Sequence, residues 1–336
     1  MTIQSSTQIH LAHRPTGWPA PEDFGTTTVE LPDLAEGEVR VANEFISVDP
    51  YMRGRMNDAK SYATPYALDE VMTGGAVGRV LESRAEGLPV GAPVLHQQGW
   101  RDIAQGPATG FRLVQVVPGL PLSAYLGTLG LTGLTAYVGL LRIAGLKEGD
   151  TVFVSGAAGA VGSAVGQIAR LKGASKVIGS AGSDEKVKLL TEKYGFDAAF
   201  NYKDAPVREQ LAKVAPQGID VYFDNVGGDH LEAALDAFNQ GGRAALCGAI
   251  STYNATEPVP GPDNMGNMVT RSLKLQGFIV GDHAEHMTDF MTEMTGWIGE
   301  RKIAMDETVI DGLDHAVEAF LELMRGANTG KMVVKL

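Results

Sequence analysis

The chain has 336 residues, 44% of them apolar, which is enough for one large hydrophobic core or two ordinary ones, and its length favours two domains. A formal charge of -12 with no Lys/Arg-rich block argues against a nucleic-acid partner, because phosphate binding needs a basic face. The single cysteine, Cys247, rules out an intramolecular disulfide and any multi-cysteine zinc site.

Residues 1–19 mix Gln, Ser, Thr, His and Arg and lack the apolar stretch of a secretory signal, so a reducing cytoplasm is expected. Short strands separated by Gly/Pro turns follow, at 39–41, 76–81, 94–97 and 111–117, a spacing that suits a compact, barrel-like β domain. The apolar run 126–146 is interrupted by glycines, threonines and Arg142, which argues against a membrane span. From there strands predicted at 151–155, 176–180, 198–201, 220–223, 243–247 and 273–280 alternate with helices at 161–171, 185–193, 207–214 and 231–238. Strict alternation predicts a parallel sheet with right-handed crossovers. In 283–299 Met287, Phe290, Met291, Met294, Trp297 and Ile298 fall on one helical face, a core-facing stripe. The tail offers a strand at 307–310, a helix at 313–324 and a strand at 331–335, assigned to the first domain.

The strongest local signal is Thr151-Val-Phe-Val-Ser-Gly-Ala-Ala-Gly-Ala-Val-Gly-Ser-Ala-Val-Gly-Gln-Ile-Ala-Arg170, a buried strand that runs through a glycine turn into a helix. Gly156, Gly159 and Gly162 are three apart, with Ala160 and Val161 between, so the pattern departs from the dinucleotide G-x-G-x-x-G but keeps its physics. Such a turn lets backbone N–H groups and a helix N-terminus approach a pyrophosphate. An NAD enzyme places an acid after the second strand to take the ribose hydroxyl. Here that strand ends Val-Ile-Gly-Ser-Ala-Gly, followed by Ser183 and Lys186, which suit a 2′-phosphate and hence NADPH. Ser183 read as a plain helix N-cap, and Asp184 as an NAD ribose ligand, both stay open.

Eight segments, in order and spanning nearly the whole chain, resemble one family. They are Asp49-Pro-Tyr-Met-Arg-Gly-Arg-Met56, Gly127-Thr-Leu-Gly-Leu-Thr-Gly-Leu-Thr-Ala-Tyr137, the glycine turn, Gly182-Ser-Asp-Glu-Lys186, Phe200-Asn-Tyr-Lys203, Phe223-Asp-Asn-Val-Gly-Gly228, Cys247-Gly-Ala-Ile-Ser-Thr-Tyr-Asn254 and Asn328-Thr-Gly-Lys331. The family is that of the zinc-independent medium-chain dehydrogenase/reductases typified by prostaglandin and alkenal double-bond reductases, including curcumin reductases. The resemblance implies an α/β fold in which a Rossmann doubly wound parallel sheet domain (127–298) is inserted in a GroES-like, mostly β substrate domain (1–126 and 299–336). It implies NADPH-dependent reduction of the C=C bond of α,β-unsaturated aldehydes and ketones, and a homodimer, for which the apolar last Rossmann strand is a candidate edge.

On that resemblance Lys186 and Tyr202 contact the adenosine phosphate end. Asn225 and Asn328 fix the nicotinamide half, and the backbone near Cys247 and at Phe278, Ile279 and Val280 lines it. Tyr51 and Tyr253 match tyrosines near the substrate carbonyl. Zinc relatives of this fold take a cysteine after an early strand and a His-Glu pair after a glycine; here the corresponding segments read Ser47-Val-Asp-Pro and Gly74-Gly-Ala-Val-Gly78. His283 and His286 lack an apparent third ligand and read as solvent-facing, so no metal is expected.

Conjugate reduction then needs a donor to the enolate oxygen. A tyrosine hydroxyl serves because its ordinary pKa of about 10 keeps it protonated, with Tyr253 the first candidate and Tyr51 the second. Tyr253 as an aromatic lid, Tyr51 as a packing residue, Asn225 as turn chemistry and Cys247 as a buried structural thiol are the bland readings of the same residues. The rival functions are an NADPH quinone reductase and a non-catalytic NADPH-binding protein.

Overall fold

A computed structural model describes residues 5–336, and the chain divides into two compact units, Met1–Gly127 with Glu307–Leu336, and Thr128–Asp306. In the first unit the alternation of Glu38–Ser47 turns Val39, Val41 and Ile46 into a core and makes this strand the centre of a seven-stranded sheet. The order is Glu307–Asp311, Lys331–Lys335, Glu38–Ser47, Ala76–Ser83, Pro93–His96, Arg112–Leu113, with Ile103–Pro107 also paired to Glu38–Ser47. Val39, Val41, Val80, Leu88, Val94, Ala104 and Phe111 form one apolar cluster on it.

Three features of this unit differ from the sequence reading. An antiparallel hairpin of Ser5–Leu11 with Phe24–Glu30 precedes the sheet, and Ile103–Pro107 adds a strand. Both escape the pattern because Ser, Thr and Gln fill positions that face water, leaving Ile9 and Leu11 as fully buried hydrophobes of the first strand. The strand expected over 111–117 shrinks to Arg112–Leu113. Beyond it the Tyr125 hydroxyl, rather than a neighbouring strand, satisfies the backbone, accepting from Val117 N–H (2.8 Å) and donating to Gln115 C=O (2.7 Å).

The second unit is a six-stranded sheet ordered Ala198–Asn201, Lys176–Ala181, Thr151–Val154, Ile219–Asp224, Phe238–Leu246, Lys274–Gly277, with all five pairings parallel. Numbered along the chain this is 3-2-1-4-5-6, the doubly wound Rossmann order. Helices Ala160–Leu171, Asp184–Glu192, Val207–Val214 and Gly228–Ala237 connect the strands, the third with the bounds expected and the others shifted by a few residues or fewer. The last strand is shorter than 273–280, because Phe278, Ile279 and Val280 leave the sheet. In helix Met287–Gly299 only Phe290 and Met294 are fully buried; Met287, Met291, Trp297 and Ile298 are half-buried, so the stripe covers its core with two residues and a rim.

This unit runs on to Asp306, past the boundary at 298. Ala304 exchanges two hydrogen bonds with the Gln167 side chain (2.7 and 3.1 Å), and Asp306 accepts from Lys193 (2.6 Å) and Tyr194 (2.5 Å). The run 126–146 folds as helix Leu131–Val138 and a π turn, Gly139–Ile143; no helix among the described residues is long and apolar enough to cross a membrane.

Each unit buries a neutral histidine. Burial pushes His96 down to about 3, helped by Arg101, and its Nδ1 accepts from Gln98 N–H (3.1 Å). Burial pushes His230 down to about 4 against the pull of Asp229. Unfolding restores ordinary imidazoles, which take a proton below about pH 6.5 while the folded forms do not. Stability is therefore complete above that value and falls as pH drops towards 4, by up to about 3 kcal/mol per pH unit for the two together. Thermal unfolding followed from pH 7 to pH 5 should show this decline, with a shallower slope in His230→Leu; an unchanged midpoint across that range would count against it.

Candidate functional site

Strand Thr151–Val154 and strand Ile219–Asp224 are neighbours whose crossovers leave in opposite directions, so their carboxyl ends flank the crevice where open α/β sheets take ligands. The glycine turn lies at one lip. Gly156 has φ +58°, a left-handed conformation that favours glycine, and a Cβ on Gly162 would lie 2.4 Å from Gly156 C=O. The helix can close on the turn only because Gly162 has no side chain. Gly159 is the N-cap, and Gly159, Ala160 and Val161 are half-exposed in the first turn of the helix, a backbone cradle that fits a pyrophosphate.

The other lip is tied to this turn. Asn225 N–H donates to Ser155 Oγ (3.0 Å) and Asn225 Nδ2 to Ser155 C=O (2.8 Å). So Asn225 does make turn chemistry, while its Oδ1 accepts no hydrogen bond among the described residues. The hub beneath is Asp224, which lies in the quoted segment Phe223 to Gly228 but was given no role there. Its Oδ1 accepts from Tyr222 OH (2.7 Å), Gly227 N–H (2.8 Å), Val226 N–H (2.9 Å) and Ser155 Oγ (3.3 Å). Burial raises its pKa, opposed by these donors.

The Asp224 carbonyl accepts from Cys247 N–H (2.8 Å) and Gly248 N–H (3.0 Å), which brings the third strand end into the crevice. Cys247 is half-buried, and desolvation, with Asp224 nearby, pushes its thiol up to about 12, which disfavours the nucleophilic thiolate. A 3₁₀ turn, Ile250–Thr252, then carries Tyr253, whose hydroxyl accepts from Ala249 N–H (3.4 Å) and keeps its own proton to give. Burial raises its pKa, with Cys247 and Asp224 adding to the rise. Phe278 meets Phe223 edge to face (6.4 Å between centroids), Ile279 is exposed and Val280 half-exposed.

After the second strand, Ser183 caps helix Asp184–Glu192, its Oγ accepting from Lys186 N–H (3.4 Å). The Asp184 carboxylate accepts from Asn201 Nδ2 (3.0 Å). Burial lowers the Lys186 pKa, and so does Lys203, a second ammonium not singled out from the sequence although it directly follows Tyr202. Two amines brought close enough to repel each other, beside the exposed Tyr202, are a fitting seat for a phosphate dianion.

Tyr51 and Asn328 belong to the first unit. Tyr51 opens helix Tyr51–Arg55; its pKa is raised by burial and by Asp49, and its hydroxyl makes no hydrogen bond among the described residues. Asn328 is buried and donates to Gly330 C=O (2.8 Å). The segment after Ser47 and the segment at Gly74 are adjacent, Ser47 N–H donating to Gly75 C=O (2.8 Å), and they offer a hydroxyl and bare backbone in place of thiolate and imidazole. His283, Glu285 and His286 bring ligand atoms within 4.8 Å of one another, so Glu285 is the third group that was not apparent in the sequence; it is exposed.

Rossmann order with a glycine turn at the switch point in one unit, and a mostly antiparallel sheet in the other, define a medium-chain dehydrogenase/reductase. Comparison with known proteins agrees. Residues 7–114 match the N-terminal domain of oxidoreductase, and residues 160–296 match the zinc-binding dehydrogenase family. The NADPH-dependent curcumin reductase of Escherichia coli is 42% identical over 333 residues, covering 97% of this chain and 95% of that one. Prostaglandin reductase 1 of Sus scrofa is 45% identical over 323 residues, covering 95% of each. CurA of Vibrio vulnificus, solved in complex with NADPH, superposes with a TM-score of 0.93 at 45% identity over 98% of both chains. The chain belongs to the zinc-independent medium-chain reductase family and is an oxidoreductase.

The Cys247 thiol gives a direct check on the environment of the crevice. At pH 8 its alkylation by iodoacetamide should run on the order of a thousandfold slower in the folded protein than in urea. Labelling at comparable rates would refute the burial described.

Proposed function

We propose that this chain is an NADPH-dependent reductase of the carbon–carbon double bond in α,β-unsaturated aldehydes and ketones. The observation that carries the proposal is the Tyr253 hydroxyl: it lies in the loop after the fifth Rossmann strand, accepts one backbone N–H and is held protonated by burial. The relatives act in the same direction, since they are named curcumin and prostaglandin reductases and CurA was crystallised with NADPH.

NADPH supplies the hydride. The backbone from Gly156 to Gly162 holds the pyrophosphate, and Lys186, Lys203, Tyr202 and the Ser183 turn take the 2′-phosphate. Asn225 would offer Oδ1 to the nicotinamide amide, which the backbone at Cys247 and at Phe278, Ile279 and Val280 would line. As the β-carbon of the substrate is reduced, negative charge would grow on the carbonyl oxygen, where the Tyr253 O–H would stabilise it by a hydrogen bond, and a proton from solvent at the α-carbon would complete the saturated carbonyl. Tyr51, whose hydroxyl has no hydrogen-bond partner among the described residues, is the second donor proposed. A donor of this kind suffices because an enolate, unlike a plain alkoxide, shares its charge between the oxygen and the α-carbon.

Homodimerisation through Lys274–Gly277 is the assembly proposed, because this strand is paired on one side only and Val269 and Ile279 near it are exposed. Sedimentation should give twice the chain mass, falling to one chain in Val269→Asp; a single-chain mass for the unaltered protein contradicts it.

Three measurements test the activity. With NADPH and 2-nonenal or an enone the product should be the saturated carbonyl, whereas an allylic alcohol, turnover with benzoquinone alone, or binding without turnover would each point to another function. Tyr253→Phe should lower kcat by about a hundredfold with NADPH affinity nearly unchanged, and because its pKa is raised the wild-type rate should show no basic limb below about pH 10. Lys186→Ala and Lys203→Ala should each weaken NADPH by about tenfold and leave NADH unaffected; equal losses for both nucleotides would refute the phosphate seat.

A further inference from the structure

The first unit holds a buried ion pair that the reaction described above does not use. Lys331 is 3% exposed and Asp49 7%. Lys331 Nζ donates to Asp49 Oδ1 (2.7 Å) and to Val48 C=O (2.7 Å), and the other carboxylate oxygen accepts from the Ser47 hydroxyl. The backbone around them is equally committed. Ser47 N–H donates to Gly75 C=O (2.8 Å), Val48 N–H to Met332 C=O (3.3 Å) and Met52 N–H to Asp49 C=O (3.1 Å). Lys331 begins the strand that pairs antiparallel with Glu38–Ser47, Val333 opposite Ser47.

A buried ammonium–carboxylate pair is a poor stabiliser, since desolvating both charges offsets most of their attraction, and a pair of apolar residues would hold the same space as well. What such a pair does provide is direction. Lys331 binds Val48 and Asp49 at once, Pro50 follows with φ -60°, and the next residue is Tyr51 at the head of its helix. Three consecutive residues upstream of Tyr51 thus have their torsions set by one ammonium, one carboxylate and one proline ring. The same carboxylate raises the pKa of Tyr51, so it also keeps that hydroxyl a donor.

We propose that Lys331 and Asp49 are positioning residues that aim Tyr51 at the substrate carbonyl. The proposal rests on the reading of Tyr51 given above. Neither residue touches substrate; both act through the segment Val48 to Pro50.

Steady-state kinetics of a mutant cycle test it. Lys331→Met alone leaves a buried carboxylate unpaired and threatens folding, so the working variant is the neutral pair Asp49→Asn/Lys331→Met, checked by its thermal midpoint. It should lower kcat/KM for the enone by about tenfold while the NADPH dissociation constant stays within error, since displacement of one contacting group costs rate without touching the other binding site. Added to Tyr51→Phe, the pair should cause no further loss, because its effect passes through that hydroxyl. Losses that multiply, or a neutral pair with unaltered kcat/KM, overturn the positioning role. If Tyr51→Phe alone leaves kcat/KM unchanged, the assignment of Tyr51 falls and the positioning role with it, an outcome distinct from multiplying losses.

Discussion

Asp224 is the residue on which the crevice is built, and the reason is electrostatic. A carboxylate that is almost wholly buried needs donors in place of water, and this one draws them from three directions: the Tyr222 ring beside it, the Ser155 hydroxyl on the neighbouring strand, and the N–H groups of Val226 and Gly227 ahead of it. Its own carbonyl receives Cys247 and Gly248 from the strand on the other side. Three successive strand ends are therefore gathered by one residue. The glycine turn, Asn225 and the loop that carries Tyr253 inherit their positions from that gathering. Burial still raises the Asp224 pKa, so the donors offset the lost hydration only in part.

The first unit solves a similar problem with the opposite charge. Arg53, 2% exposed, gives its guanidinium to Gly17 and Pro15 carbonyls and to Asn57, and burial lowers its pKa. Lys331 gives its ammonium to Val48 and Asp49. These cations fasten the short segment on which Tyr51 sits, binding carbonyl oxygens that lie in no strand ladder. In a loop so held the side chains left without partners become conspicuous, and the Tyr51 hydroxyl is one of them.

The Rossmann unit was legible because its information is local. Three apolar residues, a glycine turn and an amphipathic helix follow one another between Val152 and Leu171, and the strand–helix rhythm recurs three times. The first unit was legible only in part. Ser5–Leu11 and Phe24–Glu30 form a hairpin whose outer face is threonine and serine, and the end of the 111–117 run is satisfied by a tyrosine hydroxyl rather than a strand, neither of which leaves a periodic trace. Among the functional groups, those carried by short motifs were visible as candidates, whereas Asp224 and the Asp49–Lys331 pair were not. Their significance lies in partners 69 and 282 residues away, a distance no window of sequence spans.

The direction of the chemistry follows from what burial does to Tyr253. A tyrosine serving as a base for alcohol oxidation must lose its proton near neutral pH, which requires a pKa brought down towards 7, usually by a neighbouring cation. Here burial and the neighbours Cys247 and Asp224 move it the other way, and the counterweight is the Ala249 N–H. Such a group keeps its proton across the working range and can only donate. Donation is what a developing enolate oxygen requires, and a saturated carbonyl results once the α-carbon of that enolate takes a proton from solvent.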